Sequence, residues 1–78
     1  MREKKTWAVA AFATTTAAMA MEQAARRAGA PGRLIPIPRS ITAGCGMAWR
    51  CEPGEKDMCR RAAEAAGVEV AGWYEAEM

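Results

Sequence analysis

The sequence predicts a single α+β domain, residues 1–78, with the element order βαββαβ. A length of 78 residues suits one domain with a core of modest size. The two halves echo each other, because each runs strand, helix, strand and each helix ends in Ala-Gly. Right-handed crossovers between such halves give a four-stranded antiparallel sheet in the order 4-1-3-2, with both helices on one face. This arrangement is the ferredoxin-like fold.

The first half of the chain predicts a buried strand followed by an amphipathic helix. Aromatic, β-branched and small apolar residues from Lys5 to Phe12 favour a strand that is buried on both faces. Thr14 or Thr15 is placed to cap the helix by accepting a hydrogen bond from an early backbone N–H. Small apolar residues recur at helical spacing from Ala17 to Ala28, and Gly29 occupies the position of a C′ glycine.

The middle of the chain predicts two further strands. The run from Arg33 to Ile37 is strand-like, and its prolines suit a sheet edge or a strand end. Apolar and mixed residues alternate from Met47 to Cys51, which predicts a third strand with Trp49 and Cys51 on the same face.

The second helix and the last strand complete the predicted fold. Pro53 begins the helix and Gly67 ends it. The last strand is predicted from Val68 to Glu75 with Gly72 as a bulge, and we expect the acidic residues at positions 75–78 to fray. The residues predicted to form the inner stripe of this helix are Met58, Ala62, Ala65 and Ala66.

The amino-terminal segment imitates a secretory signal peptide. Charged residues precede an apolar run, and Ala18-Met19-Ala20 resembles a cleavage site. Threonines interrupt that run, however, and the helical pattern continues past Met21 without a break, so we expect the segment to be part of the fold. It is also too short and too polar to span a bilayer. Because an odd number of cysteines argues against a disulfide-stapled secreted scaffold, we expect a cytoplasmic protein.

The composition excludes several classes of site chemistry. The chain has no histidine, which removes Ser-His and Cys-His nucleophilic catalysis. A net charge of +2 is too small to indicate binding to nucleic acid. The cysteine spacing C-x5-C-x7-C matches no zinc pattern, and no cofactor motif is present. We therefore expect no metal, no cofactor and no enzyme activity from this chain alone.

The three cysteines are predicted to differ in role. Cys45 and Cys51 would lie about 20 Å apart along an extended chain, beyond the ~7 Å Cα separation that a disulfide tolerates. Cys51 is expected to be a buried apolar group and Cys59 a semi-buried one. Cys45 instead lies between Gly44 and Gly46 where two strand-like runs meet, and glycines permit a tight, uncrowded turn. The pattern predicts a displayed thiol, with a purely structural hairpin turn as the alternative.

The predicted topology places other groups beside the thiol of Cys45. The first strand finishes at the same end of the sheet where the third begins, so Thr14 and Thr15 should lie near Cys45. Arg39 in the same loop and the N–H groups at the start of the first helix are the available stabilisers of a thiolate. A thiol in this setting suits the transfer of an atom that is carried on sulfur.

Two sequence blocks carry a family resemblance. The first is Pro31-Gly32-Arg33-Leu34-Ile35-Pro36, and the second extends from Pro38-Arg39 to Ala43-Gly44-Cys45-Gly46. Both resemble the small Se/S carrier-like domains that are typical of anaerobic bacteria. The similarity extends from the strand that ends in Phe12 to Tyr74.

This resemblance implies that Cys45 is the carrier cysteine, with Arg39, Gly44 and Gly46 as its setting. It also implies that sulfur or selenium is held on the thiol as a persulfide-type adduct and passed on. The implied partners are a donor such as a cysteine desulfurase and a downstream acceptor protein, with a homodimer as a further possibility and no nucleic acid or membrane.

Two other functions fit the same sequence. The chain could be a protein-interaction or dimerisation module that pairs through its open sheet face, in which case the Cys-Gly turn is only structural. It could also be a redox-sensing or metal-sensing protein that uses Cys45 from two subunits.

Overall fold

Four strands and two helices make up the part of the chain that the structure, a computed structural model, describes: residues 4–41 and 44–77. The elements are β1 (Thr6–Ala11), α1 (Thr15–Ala28), β2 (Arg33–Pro36), β3 (Met47–Cys51), α2 (Lys56–Ala65) and β4 (Gly72–Glu77), and a 3₁₀ turn at Pro53–Glu55 precedes α2. The strands form one antiparallel sheet in the order β2-β3-β1-β4, which is the predicted order counted from the other edge. The predicted α+β, ferredoxin-like topology is confirmed.

Local capping sets both ends of α1. Thr14 has an extended backbone, and its hydroxyl accepts a hydrogen bond from the Ala17 N–H at 3.1 Å. Thr15 is the first helical residue, so of the two predicted caps the structure uses Thr14. Gly29 follows the helix with a φ of +69°, and the Ala30 N–H donates to the Ala25 carbonyl at 2.8 Å. Glycine adopts this left-handed conformation without the steric penalty that a Cβ atom imposes on other residues.

The last strand begins later than the sequence predicts, at Gly72 instead of Val68. After α2 the Gly67 N–H donates to the Glu64 carbonyl and the Val68 N–H to the Ala63 carbonyl, at 3.2 and 2.9 Å. These two hydrogen bonds form a Schellman motif. The Val68 N–H is thereby used to cap the helix and is not available to a strand. The prediction of a bulge at Gly72 is wrong, because this residue lies in regular register opposite Ala11.

The acidic carboxyl-terminal residues belong to the sheet, so the prediction that they fray is wrong for the described part. Glu77 lies opposite Thr6 and Ala76 opposite Trp7 in the β1–β4 ladder. Ala76 is only 8% exposed. The long central strand β1 offers pairing positions as far as Thr6, and these hold the residues up to Glu77 in the sheet.

Both helices pack on one face of the sheet and form its main core. The largest fully buried side chains there are Phe12 and Met21. In α2 the predicted inner stripe is confirmed at Ala62 only: Met58 is 52% exposed, and Ala65 and Ala66 are exposed as well, while Cys59 is fully buried. One residue along a helix is a rotation of about 100°, so Met58 and Cys59 lie on different faces. The buried residues of the two helices are Ala18, Met21, Ala24 and Ala25 in α1, and Cys59, Ala62 and Ala63 in α2.

The opposite face of the sheet, which we call the open face, carries a second and smaller core. Val9, Ala11 and Ala48 are fully buried there although no helix covers them. Ile41, from the loop after β2, packs on this group and is itself 6% exposed. Trp7 lies on the same side and is partly exposed. Neither helix of the described chain combines the length and apolar character that crossing a bilayer requires.

Candidate functional site around Cys45

The turn that carries Cys45 is attached to both neighbouring strands by backbone hydrogen bonds. The Cys45 N–H donates to the carbonyl of Phe12, just past the end of β1, at 3.3 Å. The Ile37 N–H, just past the end of β2, donates to the carbonyl of Gly46 at 2.9 Å. The turn therefore sits where β1, β2 and β3 meet, as the predicted topology requires.

The two flanking glycines serve different purposes. Gly46 has a φ of +78°, a left-handed conformation that reverses the chain into β3 and that residues with a Cβ rarely adopt. Gly44 is outside that region, but a Cβ there would lie 2.8 Å from the carbonyl oxygen of Ala13. One glycine is thus required by its backbone angle and the other by its close contact with the β1–α1 connection.

The sulfur of Cys45 folds back over its own turn. The Met47 N–H donates to the Cys45 Sγ at 3.4 Å, and the thiol is placed to donate to the Met47 carbonyl at 3.6 Å. Cys45 is only partly exposed, and it packs against the helix-side core. The thiol therefore reaches solvent but projects less freely than the sequence predicts, since the first residue of β3 holds the sulfur close.

The structure places Thr14, Thr15 and Arg39 at the predicted end of the sheet. Thr14 follows Phe12 by two residues, but its hydroxyl is already bound to the Ala17 N–H. Thr15 and Arg39 are exposed. The hydrogen bonds among residues 4–41 and 44–77 include none from any of these side chains to Cys45. Thr42 and Ala43 of the predicted motif lie outside the described residues.

The other two cysteines are buried neighbours in the helix-side core. Cys51 is 1% exposed and Cys59 is fully buried. The Cys59 thiol donates to the carbonyl of Pro31 at 3.0 Å. Burial raises the pKa of Cys51 to about 12, and the adjoining Cys59 thiol together with the Glu55 and Glu52 carboxylates adds to the effect. Cys51 thus remains a neutral thiol near pH 7, which fits its predicted role as apolar packing.

The site offers nucleophilic sulfur chemistry and little else. All three cysteines are free. Within the described ranges no three acidic, histidine or cysteine side chains come together as a set of metal ligands. A free thiol that reaches solvent, with a backbone N–H held against it, is suited to form and release a covalent bond to another sulfur or selenium atom.

Comparison with known families gives a match for the chain. A family model described as "Putative Se/S carrier protein-like" matches residues 8–75. The chain belongs to this family. The match covers both glycines of the turn, all three cysteines and at least part of every strand of the sheet. The resemblance predicted from the Pro-Arg to Gly-Cys-Gly block is therefore confirmed for this Se/S carrier-like domain. No curated protein and no solved structure matches the chain.

Sequence reasoning missed two groups around Cys45 because both act through the backbone. The Met47 N–H contacts the sulfur, and the Ala13 carbonyl fixes the position of Gly44. Neither side chain carries a chemical signal. The glycine at position 46 is a local sequence signal for the contact between the Met47 N–H and the sulfur. Its positive φ turns the chain so that the next N–H points back toward Cys45.

Proposed function

We propose that this protein is a sulfur or selenium carrier, not an enzyme, and that Cys45 holds the carried atom as a persulfide-type adduct. The observation that carries the proposal is the unequal burial of the thiols. Cys45 is partly exposed on a glycine-flanked turn, whereas Cys51 and Cys59 are enclosed in the core. Membership of the Se/S carrier-like family supports a carrier role for the chain as a whole.

Loading of Cys45 is an exchange in which atoms and charge balance. The Cys45 thiolate attacks the outer sulfur of a donor persulfide, the donor's S–S bond breaks, and the donor cysteine leaves as a thiolate. Cys45 then carries one additional sulfur atom, and the reverse exchange with an acceptor thiolate releases it. Selenium follows the same scheme when the donor presents a selenium atom in the outer position. Because no net oxidation occurs, the step needs no external oxidant.

The geometry of the turn supports a carrier that can be both loaded and unloaded. The Met47 N–H donates to the Cys45 sulfur at 3.4 Å, and a backbone N–H in this position is suited to stabilise a sulfur that carries negative charge. Cys51 lies at the other end of β3, and Cys59 lies in α2. A persulfide on Cys45 is therefore kept apart from the other two thiols of the same chain. A loaded Cys45 is therefore protected from collapse into an internal disulfide.

Intact-mass measurement after incubation with a cysteine desulfurase and free cysteine tests this proposal. We expect one adduct with the mass of a single sulfur atom on the wild-type protein, removable with a reducing thiol. Cys45→Ser should abolish it, and the matched control Cys59→Ala should retain it. An adduct that survives Cys45→Ser, or a wild-type protein that stays unmodified, contradicts the proposal.

Thiol labelling of the native protein separates the carrier from a module with a structural turn. We expect a small alkylating reagent to modify Cys45 at least about tenfold faster than Cys51 or Cys59, because buried cysteines react only after local opening of the core. Peptide mapping locates the label. Equal rates at all three residues would favour the structural-turn alternative.

A further inference from the structure

Two arginines lie directly opposite each other on the open face of the sheet. Arg33 of β2 is the cross-strand partner of Arg50 of β3. The next pair in the ladder, Leu34 and Trp49, contacts the helix-side core, so the arginine pair lies on the other side. Like charges in directly opposed positions of an antiparallel ladder destabilise a sheet. The opposed pair therefore carries an electrostatic cost to the sheet.

The ion-paired carboxylates of the described residues engage other cations. Glu52 forms an ion pair with Lys5, and Arg60 engages Asp57 and Glu64. The ion pairs within the described chain do not include Arg33 or Arg50. The open face thus carries two arginines in opposed register positions, and neither forms an ion pair within the described residues.

Trp7 holds one of these guanidinium groups in position. The Arg50 guanidinium carbon lies 4.2 Å from the centre of the Trp7 ring, and the Lys5 ammonium lies 4.8 Å from the same ring. Stacking on the indole limits the motion of Arg50 while leaving its N–H groups at the ring plane's edge available as donors. Arg33 is exposed beside it. Two arginines in opposed positions on one face, one of them held against an indole ring, suit the bidentate recognition of carboxylates.

We propose that the open face around Arg33, Arg50 and Trp7 is the docking surface for an acidic partner protein, which places two carboxylate side chains on the arginine pair. Charge complementarity selects this partner over a second copy of the chain, because pairing two such faces would bring four guanidinium groups toward one interface. Nucleic acid fits less well. The cations already cover the Trp7 ring, which removes it as a stacking platform, and the net charge is only +2.

The surface lies away from the thiol, so docking and sulfur transfer are separable. Arg50 is at the far end of β3 from Cys45, about 16 Å along an extended chain at ~3.3 Å per residue. A partner that contacts the arginine pair can therefore reach the turn without covering it. The inference does not depend on the proposed carrier chemistry, and a binding measurement tests it alone.

Binding of a defined acidic peptide tests the docking surface. The probe is a fluorescein-labelled peptide of alternating glutamate and leucine, whose carboxylates lie about 7 Å apart on one side when extended. We expect saturable binding by anisotropy, and amide shift changes in the ¹⁵N-labelled protein centred on Val9, Arg33, Arg50 and Tyr74. The counterpart peptide with glutamine in place of glutamate should not bind.

Matched variants decide whether the arginine pair is responsible. Arg33→Gln with Arg50→Gln should weaken binding by about tenfold, and Arg33→Gln alone, at an exposed site, should weaken it measurably without affecting folding. The control Arg26→Gln with Arg27→Gln removes the same charge from exposed positions in α1 and should bind as the wild type does. Equal losses in both double variants, tighter binding of an oligouridylate than of the peptide, or a dimer at assay concentration would each overturn the proposal.

Discussion

Gly44 lies so close to Ala13 that a Cβ atom on it would be 2.8 Å from the Ala13 carbonyl oxygen. This contact fixes the turn against the β1–α1 connection. Gly44→Ala must therefore displace backbone, and we expect it to lower the free energy of unfolding by about 1–3 kcal/mol. It should also change the alkylation rate of Cys45, since the Cys45–Phe12 hydrogen bond moves with the loop.

Urea denaturation and timed alkylation measure the two effects of Gly44→Ala. The matched control is Gly54→Ala, because a Cβ at Gly54 meets open space and its φ is outside the left-handed region. Gly54→Ala should leave the Cys45 alkylation rate unchanged. If both variants are as stable and as reactive as the wild type, the contact between Gly44 and Ala13 has no role in holding the turn.

Gly32 is the glycine whose replacement we expect to cost most. Its φ is +122°, and a Cβ there would lie 2.4 Å from the Arg50 carbonyl oxygen and 2.5 Å from the indole nitrogen of Trp49. The backbone strain of a positive φ and the steric overlap of the added Cβ both destabilise the folded state. Gly32→Ala should therefore lower the free energy of unfolding by about 2–4 kcal/mol. Denaturant titration followed by tryptophan fluorescence checks this value. A loss smaller than that of Gly44→Ala would contradict the ranking.

Thr14 and Thr15 are neighbours that the structure assigns to different tasks. Only the Thr14 hydroxyl accepts a hydrogen bond from the Ala17 N–H. Thr14→Ala should lower the free energy of unfolding by about 1 kcal/mol, because it leaves an N–H at the start of α1 without its cap. Thr15→Ala, at the first helical position, should change stability by less than about 0.5 kcal/mol. Thermal denaturation of the two variants compares them, and equal losses would show that Thr14 is not the cap.

The raised pKa of Cys51 predicts a loss of stability at alkaline pH. The thiol has an ordinary value of 9.0, which burial raises to about 12 in the folded protein. Above about pH 9 the unfolded chain therefore releases a proton that the folded chain keeps, and unfolding becomes more favourable as the pH rises through this window. The contribution of the neutral Cys51 thiol to stability is complete below its ordinary pKa of 9.0 and is lost by the pKa of about 12 that it has in the folded protein. Between these two values the free energy of unfolding falls by at most about 1.4 kcal/mol per pH unit.

Denaturant titrations at several alkaline pH values measure this slope. Cys51→Ala should flatten it relative to the wild type, because the variant has no thiol to ionise at that position. Cys45→Ala serves as the control, since its thiol is partly exposed and is not part of the buried pair. Parallel pH profiles for the wild type and Cys51→Ala would contradict the assignment.

The sequence was most informative where local chemistry dictates local structure. The threonine cap, the helix-ending Gly29 and the strand alternation that buries Trp49 with Cys51 all depend on residues within a few positions of one another. Two predictions about the last strand were wrong for different reasons. β4 begins at Gly72 because a local helix cap retains Val68. Residues up to Glu77 are held in the sheet by a distant partner, because β1 extends far enough to pair with them.

The candidate site divides in the same way. The sequence by itself determined that Cys45 lies in a glycine-flanked turn between two strands and that no histidine assists it, because these facts are fixed by residue type and spacing. Only the tertiary structure decided that Cys45 is held by the Met47 N–H, that Cys59 is fully enclosed where the sequence predicted a semi-buried residue, and that Arg33 faces Arg50. Burial and cross-strand register arise when segments far apart in the chain come together, so no single stretch of sequence contains them.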